Sequence, residues 1–98
     1  MRIIARKTLQ DFWEAGHADA EQPLRAWFAE VSRATWQTMA DIKLRYPHAS
    51  VIDAERVVFN IGGNKYRLVV WINYPYRVVY VRFIGTHAQY DRIDAQEI

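Results

Sequence analysis

Hydrophobic and polar residues alternate along the stretch from Val57 to Asp91 in a manner that is typical of β-strands. Three runs are rich in β-branched and aromatic residues, namely Val57–Phe59, Tyr66–Ile72 and Val78–Ile84. Two groups of turn-forming residues separate these runs, Gly62-Gly63 and Asn73-Tyr74-Pro75-Tyr76. Runs joined by a Gly-Gly turn are a strong local signal for a hairpin. The pattern therefore predicts three consecutive antiparallel strands.

The faces of these strands follow from the lengths of the turns, because successive side chains point to opposite sides of a sheet. If Gly62-Gly63 is a two-residue turn, Val58 lies opposite Arg67. If the second turn also has an even number of residues, even positions of the middle strand share a face with odd positions of the third. One predicted face is then almost wholly apolar and must be covered. It holds Phe59, Ile61, Tyr66, Leu68, Val70, Ile72, Val79, Val81 and Phe83.

The opposite face is polar and cationic. It holds Asn60, Lys65, Arg67, Val69, Trp71, Tyr80 and Arg82. With a two-residue second turn, Arg67 and Arg82 lie directly opposite one another, and like charges across a sheet are destabilising. No Asp or Glu occurs between Val57 and Tyr90, so this face suits a phosphate backbone and its bases. The alternative is a solvated face whose arginines pair with acids from the helices or the tail.

The N-terminal half has the spacing of apolar residues that is typical of amphipathic helices. One helical face is marked by Leu24, Trp27, Phe28 and Val31. Asp19 or Gln22 is expected to cap this helix, with Pro23 in its first turn. The other elements expected here are a strand at Met1–Ala5, a helix at Thr8–Ala15 that stops at Gly16, a short helix at Trp36–Arg45 presenting Met39, Ile42 and Leu44, and a connection at 48–56.

This order of elements predicts a single two-layer α+β domain over residues 1–98, with a mainly antiparallel sheet. The helices cover the apolar face, and the cationic face stays open. The absence of cysteine excludes disulfides and thiolate chemistry and fits the reducing cytoplasm. No apolar stretch approaches transmembrane length, so no membrane association is expected. The formal net charge is +2, and the basic excess falls in residues 57–98.

Candidate chemistry lies where the third strand of the hairpin region ends. Thr86 is a suitable N-cap for a short helical turn, in which His87, Tyr90 and Asp91 lie close together at positions i, i+3 and i+4. Histidine titrates near neutrality, and a nearby carboxylate can orient its ring. Together with the two arginines of the sheet, these groups could cleave RNA at its own 2′-hydroxyl without a metal or cofactor. The alternative is that His87 caps the turn and Asp91 pairs with an arginine.

Two blocks of the sequence, FNIGGNKYRL (Phe59–Leu68) and VYVRFIGTHAQYD (Val79–Asp91), resemble the HigB family of bacterial toxins. The similarity extends to KTLQDFW (Lys7–Trp13), Leu24-x-x-Trp27, Trp36 and ADIKLRYP (Ala40–Pro47). The resemblance implies a RelE-like fold and a ribonuclease that cleaves messenger RNA, typically on the ribosome. It also implies a HigA-like helix-turn-helix antitoxin, through which alone the pair would bind operator DNA.

The resemblance carries functional residues onto both blocks. They are Asn64, Lys65 and Arg67 in the first block and Arg82, His87, Tyr90 and Asp91 in the second. With the residues of the cationic face, this predicts catalytic roles for His87, Tyr90, Asp91, Arg67 and Arg82, and RNA contacts for Asn60, Asn64, Lys65, Trp71 and Tyr80. No cofactor and no metal is expected. His17 and His48 have no comparable neighbours and are interpreted as surface or loop residues.

Two other functions remain open from the sequence. One is a toxin of the same fold that inhibits gyrase by binding, as ParE-like members do, and the other is a non-catalytic RNA-binding module. The antitoxin could cover the cationic face directly, or bind the helices and block docking to the ribosome. Trp13, Trp36 and Tyr46 favour contact through the helices, within residues 7–46.

Overall fold

The computed structural model describes residues 1–98 and places three helices on one face of a five-stranded sheet. The elements are β1 (Arg2–Ile4), α1 (Arg6–Glu14), a 3₁₀ turn (Ala18–Ala20), α2 (Glu21–Arg33), α3 (Met39–Arg45), β2 (Ser50–Val51), β3 (Arg56–Ile61), β4 (Tyr66–Asn73), β5 (Val78–Thr86) and α4 (His87–Tyr90). The two-layer α+β fold predicted from the sequence is confirmed. None of the helices has the length and apolar character that a membrane span requires.

The strands lie in the order β1-β5-β4-β3-β2. The N-terminal strand was expected, and it pairs with β5 in the parallel direction, while all other pairs are antiparallel. The strand β2 was not expected, because Ser50 and Val51 fall in the predicted connection. A two-residue, exposed strand has too little sequence to show a period of two.

Both hairpin turns are longer than the sequence reasoning assumed. Ile61 pairs with Tyr66, so the first turn has four residues, and Asn60 rather than Val58 faces Arg67. Gly62 and Gly63 both have a positive φ, at 64° and 72°, where a residue with a side chain would be strained. Because four is also an even number, the division of β3 and β4 into two faces survives this error.

A bulge in β5 changes which residues of the third strand face the helices, so the faces predicted for this strand are partly wrong. Val70 pairs with Val81, but its neighbour Val69 pairs with Phe83, so Arg82 has no partner residue on β4. Beyond the bulge the alternation is reversed. Phe83 therefore shares a face with Val69, away from the helices, and its predicted place in the core is wrong.

The longer second turn and the bulge together separate the two arginines that were expected to face each other. Asn73 pairs with Val78, so the second turn also has four residues, and the bulge shifts the pairing by one further position. Gly85, and not Arg82, lies opposite Arg67. The like-charge pair does not exist, so no anion is needed to offset it. The rest of the predicted apolar face is confirmed, since Phe59, Leu68, Val70 and Val79 are all at most 1% exposed.

The core lies between this face and the helices. Leu24, Trp27 and Val31 of the predicted stripe are buried, and the indole of Trp27 meets Phe59 with 5.5 Å between ring centroids. Two details differ from expectation. Leu44 is 85% exposed. The helix α2 begins after Ala20 without a side-chain cap, so neither Asp19 nor Gln22 has the predicted capping role.

The outer face of the sheet, opposite the helices, is not wholly open as predicted. Val58 and Val69 lie on this face, yet they are only 2% and 0% exposed and stand outside the helix-side core. The C-terminal segment reaches the same face, because the backbone oxygen of Ile98 accepts hydrogen bonds from Trp71 Nε1 at 2.8 Å and Arg56 Nε at 3.2 Å. Part of the cationic face is therefore covered by residues that follow α4.

Candidate active site

The short helix α4 brings a histidine and a carboxylate together. Thr86 caps it as predicted: Thr86 Oγ1 accepts from the Gln89 backbone N–H at 3.1 Å, and the Gln89 side chain accepts from the Thr86 N–H at 2.9 Å. This box fixes the turn, and His87 Nδ1 lies 3.0 Å from Asp91 Oδ2. A carboxylate at that position accepts from Nδ1–H, which leaves the lone pair of Nε2 free. The two side chains are 51% and 59% exposed, so the pair faces solvent.

The histidine lies next to the turn between β3 and β4. Gly85 and Thr86 pair with Arg67 and Tyr66, and the His87 N–H donates to the Lys65 carbonyl at 3.3 Å. The α4 turn and the first hairpin turn thus form one corner of the sheet.

At this corner Arg67 is held in place by Asn64. The guanidinium donates to Asn64 Oδ1 at 2.8 Å and to the Asn64 carbonyl at 3.1 Å. These bonds leave part of the guanidinium free to donate to another acceptor. Asn64, Arg67, His87 and Asp91 form what is called here the corner site. The structure thus gathers four of the predicted residues.

Arg82 does not belong to the corner site. Its guanidinium lies 4.3 Å from the centroid of the Trp71 indole, and that of Arg56 lies 4.6 Å from the same ring. Trp71 is four residues from Arg67 along β4, which corresponds to about 13 Å. Tyr80 pairs with Trp71 and is 37% exposed. Arg56, Trp71, Tyr80 and Arg82 form a second group, called here the outer-face group, and Arg56 was not predicted from the sequence.

Lys65 points away from both groups. Its ammonium pairs with Asp19, and the hydroxyl of Tyr66 donates to the same carboxylate. Hydrogen bonds from Lys65 and then Tyr66 lower the pKa of Asp19, and the hydrogen bond to Asp19 raises the pKa of Lys65. Lys65 is therefore a cation tied to the helix layer. The sequence left open that the arginines of the sheet face pair with acids from the helices; here an acid of the 3₁₀ turn pairs with a lysine instead.

His17 lies in the loop before the 3₁₀ turn, as expected. Its ring stacks on Phe12 with 4.1 Å between centroids and meets the edge of Tyr66 at 5.8 Å. It thereby packs behind the tyrosine that binds Asp19. His48 is exposed in the loop after α3, as expected.

The remaining predicted residues border these groups. The Tyr90 ring is half-buried and tilted against Phe83 at 6.4 Å, a neighbour that it has only because the bulge turns Phe83 outward. Asn60 pairs with Arg67 and, with Asn64, lines a groove of about 630 Å³ beside the first turn. No three His, Asp or Glu side chains converge as metal ligands would.

The fold and the corner site define a class of small α+β proteins with a helix-covered sheet and a histidine–carboxylate pair beside an arginine. A family model described as HigB_toxin, the RelE-like toxic component of a toxin–antitoxin system, matches residues 20–93. The chain therefore belongs to the HigB toxin family.

Known relatives support this membership. The chain is 27% identical over 94 residues to the mRNA interferase toxin HigB of Escherichia coli K12, an alignment that covers 93% of this chain and 88% of that protein. The proteins named mRNA interferase HigB in Escherichia coli O157:H7 and Shigella flexneri show the same identity and coverage.

Proposed function

We propose that this protein is the toxin of a type II toxin–antitoxin pair, and that it cleaves messenger RNA on the ribosome in the cytoplasm by attack of the RNA's own 2′-hydroxyl. The observation that carries the proposal is the His87–Asp91 pair at 3.0 Å, in a turn whose backbone adjoins the end of β4 where Asn64 anchors the guanidinium of Arg67. Membership of the HigB toxin family supports the role as a toxin, and the relatives' name, mRNA interferase, supports RNA as the substrate.

The reaction needs a base, an acid and a cation. His87 Nε2 takes the proton of the 2′-hydroxyl, and Asp91 stabilises the imidazolium that forms. The 2′-oxygen then bonds to phosphorus, and the bond from phosphorus to the 5′-oxygen breaks. The Tyr90 hydroxyl, which has no hydrogen-bond partner in the protein, supplies the proton to the leaving oxygen. The products are a 2′,3′-cyclic phosphate and a 5′-hydroxyl.

Arg67 stabilises the charge that develops on the phosphate. Its bonds to Asn64 hold the guanidinium in place before RNA arrives, and a preorganised donor costs no reorganisation during the reaction. Lys65 is a poor base because its ammonium is paired with Asp19.

Dependence on the ribosome is supported by the shape of the corner site. His87, Tyr90 and Asp91 line none of the cavities of the protein, and the His87–Asp91 pair is more than half exposed. Such a shallow surface holds RNA weakly by itself. A ribosome that presents the messenger in a fixed conformation would provide the missing positioning.

The tryptophans expected to contact the antitoxin are not exposed on the helix layer. Trp13 and Trp36 are only 9% and 6% exposed, so these indoles cannot anchor a partner as expected from the sequence. The helix layer instead presents Leu44, at the edge of a groove of about 710 Å³ between α2 and α3. We place a HigA-like antitoxin there, with operator DNA bound through the antitoxin. Leu44→Asp should then weaken antitoxin binding in a titration and leave toxicity unchanged.

The test of the function is to map RNA 5′ ends after brief induction in living cells. Cuts within coding sequence that disappear when translation is blocked support the proposal. A 2′-deoxy nucleotide at the cut site should also block cleavage in vitro. A DNA-damage response without cut messengers would instead identify a gyrase inhibitor. If neither outcome is observed, the non-catalytic RNA-binding module is the function that remains.

A further inference from the structure

A cavity of about 310 Å³ lies on the outer face of the sheet, at the end remote from His87. Glu55, Trp71, Asn73 and Tyr80 are among the residues that line it. Its volume is at the lower end of the range for small-molecule sites. The reaction proposed above uses none of these four residues, and the C-terminal segment does not line the cavity.

Trp71 and Tyr80 form the aromatic wall of this cavity. Trp71 and Tyr80 are paired across β4 and β5, and Trp71 Nε1 is fixed by its bond to the Ile98 oxygen. The other three tryptophans are buried on the helix side. Arg56 and Arg82 lie against the indole from the two neighbouring strands, so the ring left for a base to stack on is that of Tyr80, which is 37% exposed. Aromatic rings beside guanidinium groups are the combination by which proteins bind the bases and phosphates of single-stranded RNA.

The polar wall offers one acceptor and one donor. The carboxylate of Glu55 has neither an ion pair nor a hydrogen bond, since the adjacent Arg56 pairs with Asp53 at 2.6 Å. The Glu55 carbonyl accepts from the Ile72 N–H at 2.8 Å, which fixes the residue beside β4. Asn73 Oδ1 accepts from the Tyr76 N–H at 3.2 Å, so the amide NH₂ of Asn73 is left as a donor.

We propose that this cavity binds a nucleobase with an exocyclic amino group, as adenine, cytosine and guanine have. A carboxylate accepts from such a group, whereas uracil has the carbonyl oxygen O4 at the position of the cytosine amino group, and a carboxylate repels that oxygen. The proposal rests on the proposed ribonuclease function and adds a base-reading site to it. Tyr66, which lies beside α4, is five to seven residues along β4 from Trp71–Asn73 at the cavity, or about 16–23 Å. Since stacked bases rise about 3.4 Å each, the base read lies about five to seven nucleotides from the cut.

The test uses 2′-O-methyl hexacytidylate and hexauridylate, which have pyrimidines of equal size and cannot be cleaved by 2′-hydroxyl attack. Anisotropy titrations should show the cytidine oligomer binding about tenfold more tightly, within the range of a specific base contact. Glu55→Gln should bring the two Kd values together, because an amide both donates and accepts. Tyr80→Ala should weaken both oligomers about tenfold through lost stacking. Tyr76→Ala, in the same turn but outside the cavity, should change neither.

Equal Kd values for the two oligomers, or a preference that survives Glu55→Gln, would overturn this site. Glu55 is exposed, so its replacement leaves the core untouched. Mapped cuts separate this inference from the function on which it rests. If the wild type cuts messengers and Glu55→Gln cuts them with the same base preference, only the base-reading site is wrong. If the preference is seen in binding but no messenger is cut, the ribonuclease function is wrong.

Discussion

Replacing His87 by Gln removes the proton-transfer group of the corner site while keeping a polar side chain of similar reach. Glutamine cannot accept a proton near neutrality, so the cleavage step should slow by about 10²–10⁴-fold. That loss corresponds to roughly 2.7–5.5 kcal/mol of transition-state stabilisation. Binding to ribosomes should persist, because Arg67 and the outer-face group are unchanged.

The effect on folding should be far smaller than the effect on the rate. His87 and Asp91 are 51% and 59% exposed, and exposed pairs contribute at most about 1 kcal/mol. The cap of α4 is made by Thr86 and Gln89, which the substitution leaves in place. A melting curve close to that of the wild type, together with a large loss of rate, separates chemistry from structure.

The assay is single-turnover cleavage of a ribosome-bound messenger, with ribosome binding measured separately by co-sedimentation. Ala88→Gln is the matched control, since it puts the same side chain one residue along the turn and keeps His87. Full activity of His87→Gln would refute the reasoning. His87 would then serve only to close the α4 turn, and the base would have to be sought among the other polar groups of the corner.

Three further predictions test other levels of the structure. Leu68→Asp buries an unpaired charge at a position that is 0% exposed, at a cost of several kcal/mol that approaches the stability of a small domain; circular dichroism should show an unfolded chain, while the exposed Val51→Asp stays folded. Arg67→Ala should lower the cleavage rate at saturating RNA, whereas Arg82→Ala should raise Kd and reduce the salt dependence of binding, and equal effects of both would contradict the separation of the two groups. Asp19→Asn should lower the melting temperature at neutral pH. Because the folded pKa of Asp19 is depressed below its ordinary value of 3.8, the difference from the wild type should persist above that pH and vanish as the pH falls through the folded pKa.

The elements that the sequence predicted correctly are those whose signals are local. The apolar stripe of α2 and the period of two in β3 and β4 each lie within a dozen residues, and each was assigned correctly. The cap at Thr86 and the pairing of His87 with Asp91 also depend only on helical spacing. The turn lengths were wrong but their parity was right, so the faces of β3 and β4 were assigned correctly while the pairs Val58–Arg67 and Arg67–Arg82 were not.

The errors arose where one strand departs from regular pairing or where distant residues meet. The only trace of the bulge is that Phe83 and Ile84 are adjacent apolar residues after an alternating run, and the same trace marks many strand ends. Asp19 and Lys65 are 46 positions apart, and no periodicity links them. The contact of the C-terminal segment with the outer face could not be predicted for the same reason. Ile98 accepts a hydrogen bond from Trp71 through its backbone oxygen, and no pattern of side chains reveals such a contact.

The bulge is also what gives the cationic surface its organisation. With regular pairing after the four-residue turn, Arg82 would lie opposite Val69, two residues from Arg67 on β4. The four-residue second turn and the extra residue together leave Gly85 opposite Arg67, while the guanidinium of Arg82 lies against the Trp71 indole, so that the positive charge is divided between two places on the sheet. One place has the His87–Asp91 pair, which lines none of the cavities; the other has the cavity that is lined by Glu55, Trp71 and Tyr80. Cutting and base reading can therefore be altered independently by mutation, which a single clamp of two opposed arginines would not allow.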